Sequence, residues 1–275
     1  MGVVVTVAPT GPIATKADNV HLPTAPVEIA DAVVAAYDRG AAVAHIHLRD
    51  EQQRPTADHG IARDVVRRIS DRCPILIQLS TGVGLGVGFE ERASLVDLRP
   101  EMATLNPCSM SFGEGEFRNP PAQVTELAAR MRDLGVKPEL EIYDTGHLDA
   151  CLRLRDQGLL PEPLQFSIVL GVRGGMAATA ENLLLIARRL PEGAVWQVIA
   201  IGRNNLQLSA IGLALGANVR AGMEDTLHLR KGELTPGNNP LVDRAVQLVH
   251  DLDLSVASVD EARVELGLRS DRPGY

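Results

Sequence analysis

Short apolar, β-branched runs alternate along this chain with longer stretches in which apolar residues recur every three to four positions. The runs are VVVTVAP (3–9), AAVAHIHL (41–48), PILIQLS (74–80), MATLNP (102–107), ELEIYD (139–144), LQFSIVL (164–170), AVWQVIAI (194–201) and ANVRAG (217–222). Runs of this length bounded by turn residues predict strands. The stretches between them carry helix start and stop signals. TAPVEIADAVVAAYDRG opens with Thr24 and Pro26, places Glu28 early and stops at Gly40, as helix termini require. AQVTELAARMRDLG and TAENLLLIARRLPEG follow the same pattern, and NLQLSAIGLALG is a small-residue helix ending at Gly216, suited to close packing. The tail, NPLVDRAVQLVHDLDLSVASVDEARVELGL, reads as helix, short break, helix.

Eight strand–helix units in about 250 residues, with strands apolar enough to be covered on both faces, predict an α/β fold: a closed parallel (β/α)8 TIM barrel. The expectation is a single domain over residues 1–275 with a C-terminal helical extension. An open doubly wound sheet is the alternative, but no G-x-G-x-x-G follows the first strand, so the usual dinucleotide support for it is missing.

The chain is 45% apolar and 23% charged, ordinary for a soluble globular protein, and its net charge is −8. An acidic chain without a basic block argues against nucleic acid or an anionic membrane as partner. The start, MGVVVTVAPTGP, lacks a basic leader and reads as a strand. Cys73, Cys108 and Cys151 are odd in number and unpatterned, which points to a reducing, cytoplasmic setting.

In such a barrel, chemistry belongs at the C-terminal ends of the strands. The polar residues there are Thr10 with Gly11; His45, His47 and Asp50; Ser80 and Thr81; Thr104 and Asn106; Glu141 and Asp144; Arg173; Arg203 and Asn204; and Arg220, Glu224 and Asp225. Residues i and i+2 on a strand face the same way, so His45 and His47 project together. Two imidazoles so placed can share a metal ion. Glu224 lies just past the eighth strand, which neighbours the first in a closed barrel, and could complete a His2Glu set with open positions, as in catalytic zinc sites. Two histidines hydrogen-bonded in a polar pocket without metal are the other reading, and the spacing leaves both open. Among the remaining histidines, His21 and His147 are the best pocket candidates. Arg220 can pair with Asp225 or grip a substrate carboxylate through two hydrogen bonds. Asp225 can then serve as a base tuned by its neighbours. An ordinary salt bridge at a helix start is the alternative.

AAVAHIHLRD and VRAGMEDT, together with TGPIATKADNVHLPTAPVEIA, QLSTG, ATLNPCSMSFG, ELEIYDTGHL and GVRGGMAATAENLL, resemble the β-keto acid cleavage enzymes over essentially the whole chain. The resemblance implies a (β/α)8 barrel with one divalent metal, usually Zn2+, assembled as a homotetramer. It implies condensation of a β-keto acid with acetyl-CoA, releasing acetoacetate and a new acyl-CoA. It makes His45, His47 and Glu224 the metal ligands and Asp225 the general base, oriented by Arg220. Ser80 and Thr104 would hold the carboxylate or enolate, and Glu141 would stand in the pocket wall. Thr81, Gly82, Asn106 and Ile13 join the substrate-binding positions. No protein nucleophile is needed, and no G-x-S-x-G is present.

Three positions depart from the pattern. Ile13 stands where the aminohexanoate-cleaving members carry a glutamate that meets the substrate's amino group, so the expected substrate has an uncharged tail. Val83 and Asn205 replace a frequent glycine and glutamine. An amidohydrolase-like barrel would carry its His-x-His on the first strand and further histidines on the middle strands, unlike this chain. A metal-dependent aldolase, and a barrel that only binds keto acid or acyl-CoA, remain the other readings.

Overall fold

The computed structural model describes residues 2–270, so Met1 and residues 271–275 at the two ends of the expected domain lie outside the described residues. The chain runs from β1 (Val5–Val7) through α1 (Pro26–Tyr37), β2 (Val43–Ile46), α2 (His59–Ser70), β3 (Leu76–Leu79) and α3 (Phe89–Ala93) to β4 (Met102–Leu105). A small hairpin follows, β5 (Met110–Phe112) and β6 (Gly115–Phe117), and then α4 (Pro121–Leu134), β7 (Lys137–Ile142), α5 (Thr145–Asp156), β8 (Gln165–Leu170) and α6 (Ala180–Ala187). The last third comprises β9 (Val195–Ala200), α7 (Asn205–Ala214), β10 (Asn218–Ala221), a second hairpin of β11 (His228–Arg230) and β12 (Glu233–Leu234), α8 (Asn239–Asp251) and α9 (Val259–Glu265).

All eight expected strands form, and they close into one parallel barrel in the order β1-β10-β9-β8-β7-β4-β3-β2. Closure rests on β1, which pairs with β10 (Thr6 opposite Arg220) and with β2 (Thr6 opposite Val43). Both small hairpins were missed by the hydrophobic pattern. Their strands are two or three residues long and half-exposed, so no apolar alternation marks them.

The helices form where start signals meet a buried stripe. In α4, Pro121 opens the helix, Val124, Leu127, Ala128 and Met131 are buried, and Gly135 ends it in the left-handed conformation at φ 67°. That i, i+3, i+4, i+7 spacing puts one face on the barrel. Asp58 caps α2 by accepting from the Ile61 N–H at 2.8 Å. At the start of α1, Ala25 is the cap and the Glu28 carboxylate accepts from the Thr24 and Ala25 N–H groups at 2.9 and 3.0 Å. Helix α7 lies close on β9, because a Cβ at Gly212 would come within 2.5 Å of Val198.

The two ends of the barrel differ. At the N-terminal end, Val4, Val43, Leu76 and Met102 pack with Ala262 and Leu266 of α9 and its flank. Asn218 accepts from the Val4 N–H at 2.7 Å and donates to Glu265 at 2.8 Å, so the C-terminal extension plugs this end. The C-terminal end stays open beneath the two hairpins. Its β10–β1 corner needs Gly222, where φ is +151° and a Cβ would overlap the Ala8 carbonyl oxygen. Gly222→Ala should therefore lower unfolding stability by about 1–3 kcal/mol or more, measured by urea denaturation; an unchanged midpoint would rule out this constraint.

Candidate active site

The end of β2 supplies His45 and His47, both buried, with ring centroids 5.2 Å apart. Glu224 arrives in the turn after β10, pressed against Gly11, where a Cβ would come within 2.5 Å of the glutamate Cγ. Its carboxylate lies 3.4 Å from His45 Nε2 and 3.6 Å from His47 Nε2. One ligand atom from each of the three residues falls within 4.8 Å of the others. These groups fit a cation. His45 Nε2 and Glu224 Oε2 are buried without hydrogen-bond partners, as is His47 Nδ1, and buried polar atoms are seldom left so. Gln78 Oε1 accepts from His45 Nδ1 at 2.7 Å, which leaves the Nε2 lone pair facing Glu224, the tautomer a metal ligand needs.

Arg220, on β10, is buried and joins the two carboxylates that follow it. Its Nη2 donates to Glu224 Oε1 at 2.6 Å and to Asp225 Oδ1 at 2.7 Å, and its Nε donates to Asp225 Oδ2 at 3.0 Å. The two carboxylates respond in opposite directions. Burial works against the Glu224 charge, but Arg220 and the two histidines outweigh it and hold the group well below the usual carboxylate range. Burial raises Asp225, and Arg220 only partly offsets this. A carboxylate of raised basicity is the better proton acceptor. His45 is pushed up by Glu224 against the effect of burial, whereas burial prevails at His47 and lowers it.

His47, Arg220, Glu224 and Asp225 open into one cavity of about 1340 Å³ at the C-terminal end of the barrel, whereas His45 is wholly buried and does not line it. His47, Ser80, Gly82, Glu141, Arg220, Glu224, Asp225 and Ile13 line it. The Ser80 hydroxyl accepts from the Gly82 N–H at 3.2 Å. Glu141 accepts from the Tyr143 hydroxyl at 3.0 Å, and burial, with the Glu139 charge nearby, pushes it up to about 7. Ile13 is 62% exposed at the rim.

Thr81, Thr104 and Asn106 are buried behind this wall and are not among the cavity-lining residues. The Thr104 hydroxyl accepts from the Thr81 N–H at 2.9 Å, and the Thr81 hydroxyl donates to the Thr104 carbonyl at 2.8 Å. The pair thus ties the ends of β3 and β4 together. Asn106 sits behind Gly82, its amide without a partner. Asp50 holds a surface turn with Arg54, and Asp144 caps α5 through the Gly146 N–H. Neither of the two other favoured histidines lines the cavity; exposed His228 does.

Three contributors escaped the sequence pattern. Gln78 shares the inward face of β3 with Ser80, a signal that strand alternation could have shown. Tyr143 likewise follows Glu141 by two. Arg49, next but one after His47, is buried and donates to the carbonyls of Gly11, Ala14 (2.8 Å) and Gln53 (2.8 Å). It pins the loop that carries Gly11 and Ile13.

A family model described as beta-keto acid cleavage enzyme matches residues 2–268. The chain belongs to the β-keto acid cleavage enzymes. It is 37% identical over 268 residues to the 3-keto-5-aminohexanoate cleavage enzyme of Fusobacterium nucleatum, covering 97% of this chain and 98% of that one. It is 33% identical over 271 residues to the 3-oxoadipate:acetyl-CoA acetyltransferase of Cupriavidus necator, covering 97% and 95%. The ternary complex of ObcA with C4-CoA adduct and oxalate superposes with a TM-score of 0.79 at 20% identity, over 90% of this chain and 68% of that chain; at that identity the likeness is one of fold. This member of the family has no helix, among its described residues, long and apolar enough to cross a membrane.

Two outcomes test the site. His45→Ala and Glu224→Ala should each lose the divalent ion, and Gln78→Leu should weaken its binding about 10–100-fold, read by elemental analysis and competition with a chromogenic chelator; full retention in the first two variants would refute the ligand set. Glu141 should also mark the pH dependence of stability. Its folded pKa is raised, so the stabilising effect is complete below about 4.5 and is lost as pH rises through about 7. Chelator-treated wild type should thus lose stability relative to Glu141→Gln between pH 4.5 and 7.5, followed by urea unfolding.

Proposed function

We propose that this protein condenses a β-keto acid bearing an uncharged tail with acetyl-CoA and releases acetoacetate and a new acyl-CoA. The observation that carries the reading is that His47, Glu224, Arg220, Asp225 and Ser80 face one cavity, which also has room for a second substrate. The names of the relatives add weight: one is an acetyl-CoA acetyltransferase of a β-keto acid, another a β-keto acid cleavage enzyme.

A divalent cation, which we take to be Zn2+, would be held by His45, His47 and Glu224 and would polarise the keto acid's oxygens, making the intervening carbon acidic. Asp225 accepts that proton. Arg220 holds the Asp225 carboxylate through both its oxygens and so orients it toward the substrate. Ser80 donates its hydroxyl to the keto acid, and Thr104 and Thr81 set Ser80's strand end in place. The carbon freed of its proton attacks the acetyl thioester carbonyl and expels CoA thiolate. That thiolate then attacks the original ketone, the bond to the former attacking carbon breaks, protonated Asp225 returns its proton to that carbon, and acyl-CoA and acetoacetate part. Glu141, pushed up to about 7 by burial, is only partly ionised near pH 7 and so carries less than a full negative charge beside the developing enolate.

Substrate choice lies at the rim. Ile13 offers an apolar surface where an ammonium-bearing substrate would need a carboxylate, so an uncharged tail fits better. We further take the protein to be cytoplasmic and a homotetramer, the latter to be checked by light scattering.

Asp225→Asn should keep its metal yet lose about 10²–10⁴ in kcat. This should be measured on whichever keto acid a panel with acetyl-CoA, scored by acetoacetate release, shows to be preferred. Full activity in the variant would remove Asp225 as the base, and clear preference for the 5-amino keto acid would overturn the assignment of the tail.

A further inference from the structure

The cavity is larger than the proposed keto acid requires. Its volume, about 1340 Å³, exceeds the roughly 300–1,000 Å³ that encloses a drug-sized ligand. Beyond Asp225 it continues between the start of α7, the β11–β12 hairpin and α8. This part of the lining, the arm, includes the apolar Leu241, Ala245 and Leu248 and the exposed cations Arg203, Arg230 and Lys231.

These three cations are exposed, and among the described residues none of them takes part in an ion pair. Two other cations on the cavity wall are ion-paired, Arg173 with Glu114 and Arg220 with Glu224 and Asp225, and Arg244 donates to a backbone carbonyl. On a chain of net charge −8, a cavity arm lined by unpaired cations calls for an anion from outside. A β-keto acid has one carboxylate, and that is engaged at the catalytic end.

Placement points to phosphate. Arg203 follows the seventh barrel strand, and Arg230 and Lys231 sit on the hairpin after the eighth. In (β/α)8 barrels the loops after these two strands, with a helix N-terminus beside them, form the recurrent phosphate site. Here the first turn of α7, Asn205–Gln207, lines the same arm, entered from a 3-10 turn whose Gly202 carbonyl accepts from the Asn205 N–H. Arg244 of α8 donates to the Leu229 carbonyl and so holds the hairpin, with Arg230 next in the chain, against the arm.

We propose that Arg203, Arg230 and Lys231 form the phosphate subsite for the coenzyme A thioester, with its pantetheine arm lying over Leu241, Ala245 and Leu248. This rests on the acyl-transfer reading above. It is tested by calorimetric titration of CoA, dephospho-CoA and pantetheine into the wild type, into the triple variant Arg203→Gln/Arg230→Gln/Lys231→Gln, and into Arg63→Gln, an exposed cation on α2. The wild type should bind CoA at least about tenfold more tightly than pantetheine, with a gap that narrows as salt rises. The triple variant should lose about tenfold in CoA affinity, since each exposed pair is worth up to a few-fold. It should keep its affinity for pantetheine, which also reports that the pocket is folded, and Arg63→Gln should match the wild type. Unchanged CoA binding in the triple variant, or equal binding of pantetheine and CoA by the wild type, would overturn the subsite while leaving the reaction standing. A wild type that bound no CoA at all would overturn both.

Discussion

The pairing of β1 with both β10 and β2 is the contact on which the site depends. Thr6 faces Arg220 on one side and Val43 on the other. That pairing makes neighbours of residues some 180 positions apart in sequence, so that a glutamate after the last barrel strand meets two histidines at the end of the second. Gly222 and Gly11 are part of the same joint. The first lets the β10 turn run against Ala8, and the second leaves room for Glu224 beside the loop after β1. Arg49, fixed by that loop's carbonyls, locks the joint from the β2 side.

Charge is handled inside this joint by sharing. Arg220 is among the largest wholly buried side chains, and an isolated guanidinium there would be costly. Two carboxylates answer it at once, and they come from adjacent residues, so one cation sets two different acidities. Glu224, also facing the histidines, is kept ionised, as a metal ligand must be. Asp225, raised by burial that its side-chain bonds to Arg220 only partly offset, stays more basic. Two adjacent carboxylates thus differ in acidity because their surroundings differ, although their chemistry is nearly the same.

The barrel directs this chemistry to one end. The other is sealed by Val4, Val43, Leu76, Met102 and the α9 segment. The open end is roofed by two hairpins, each inserted after a strand that carries site residues. The β11–β12 hairpin borders the arm assigned to the coenzyme. The β5–β6 hairpin stacks Phe112 against Tyr143, 6.1 Å between ring centroids, beside the hydroxyl that bonds Glu141.

Strand number, parallel order and the C-terminal helical extension were legible in the chain because period-two and period-3.6 hydrophobic patterns are local; that the extension plugs the barrel was not. So was the pairing of His45 with His47, since alternation along one strand settles their direction. Arg220, Glu224 and Asp225 were marked by falling within six residues after a strand. Only tertiary structure decided which polar residues at strand ends reach the cavity. Thr104 and Thr81 satisfy each other behind the wall, Asp144 and Asp50 serve a helix start and a turn, and Gln78 and Arg49, unremarkable in sequence, support His45 and the rim. A polar residue's role depends on which partner is nearest, and in a closed barrel that partner usually comes from another strand.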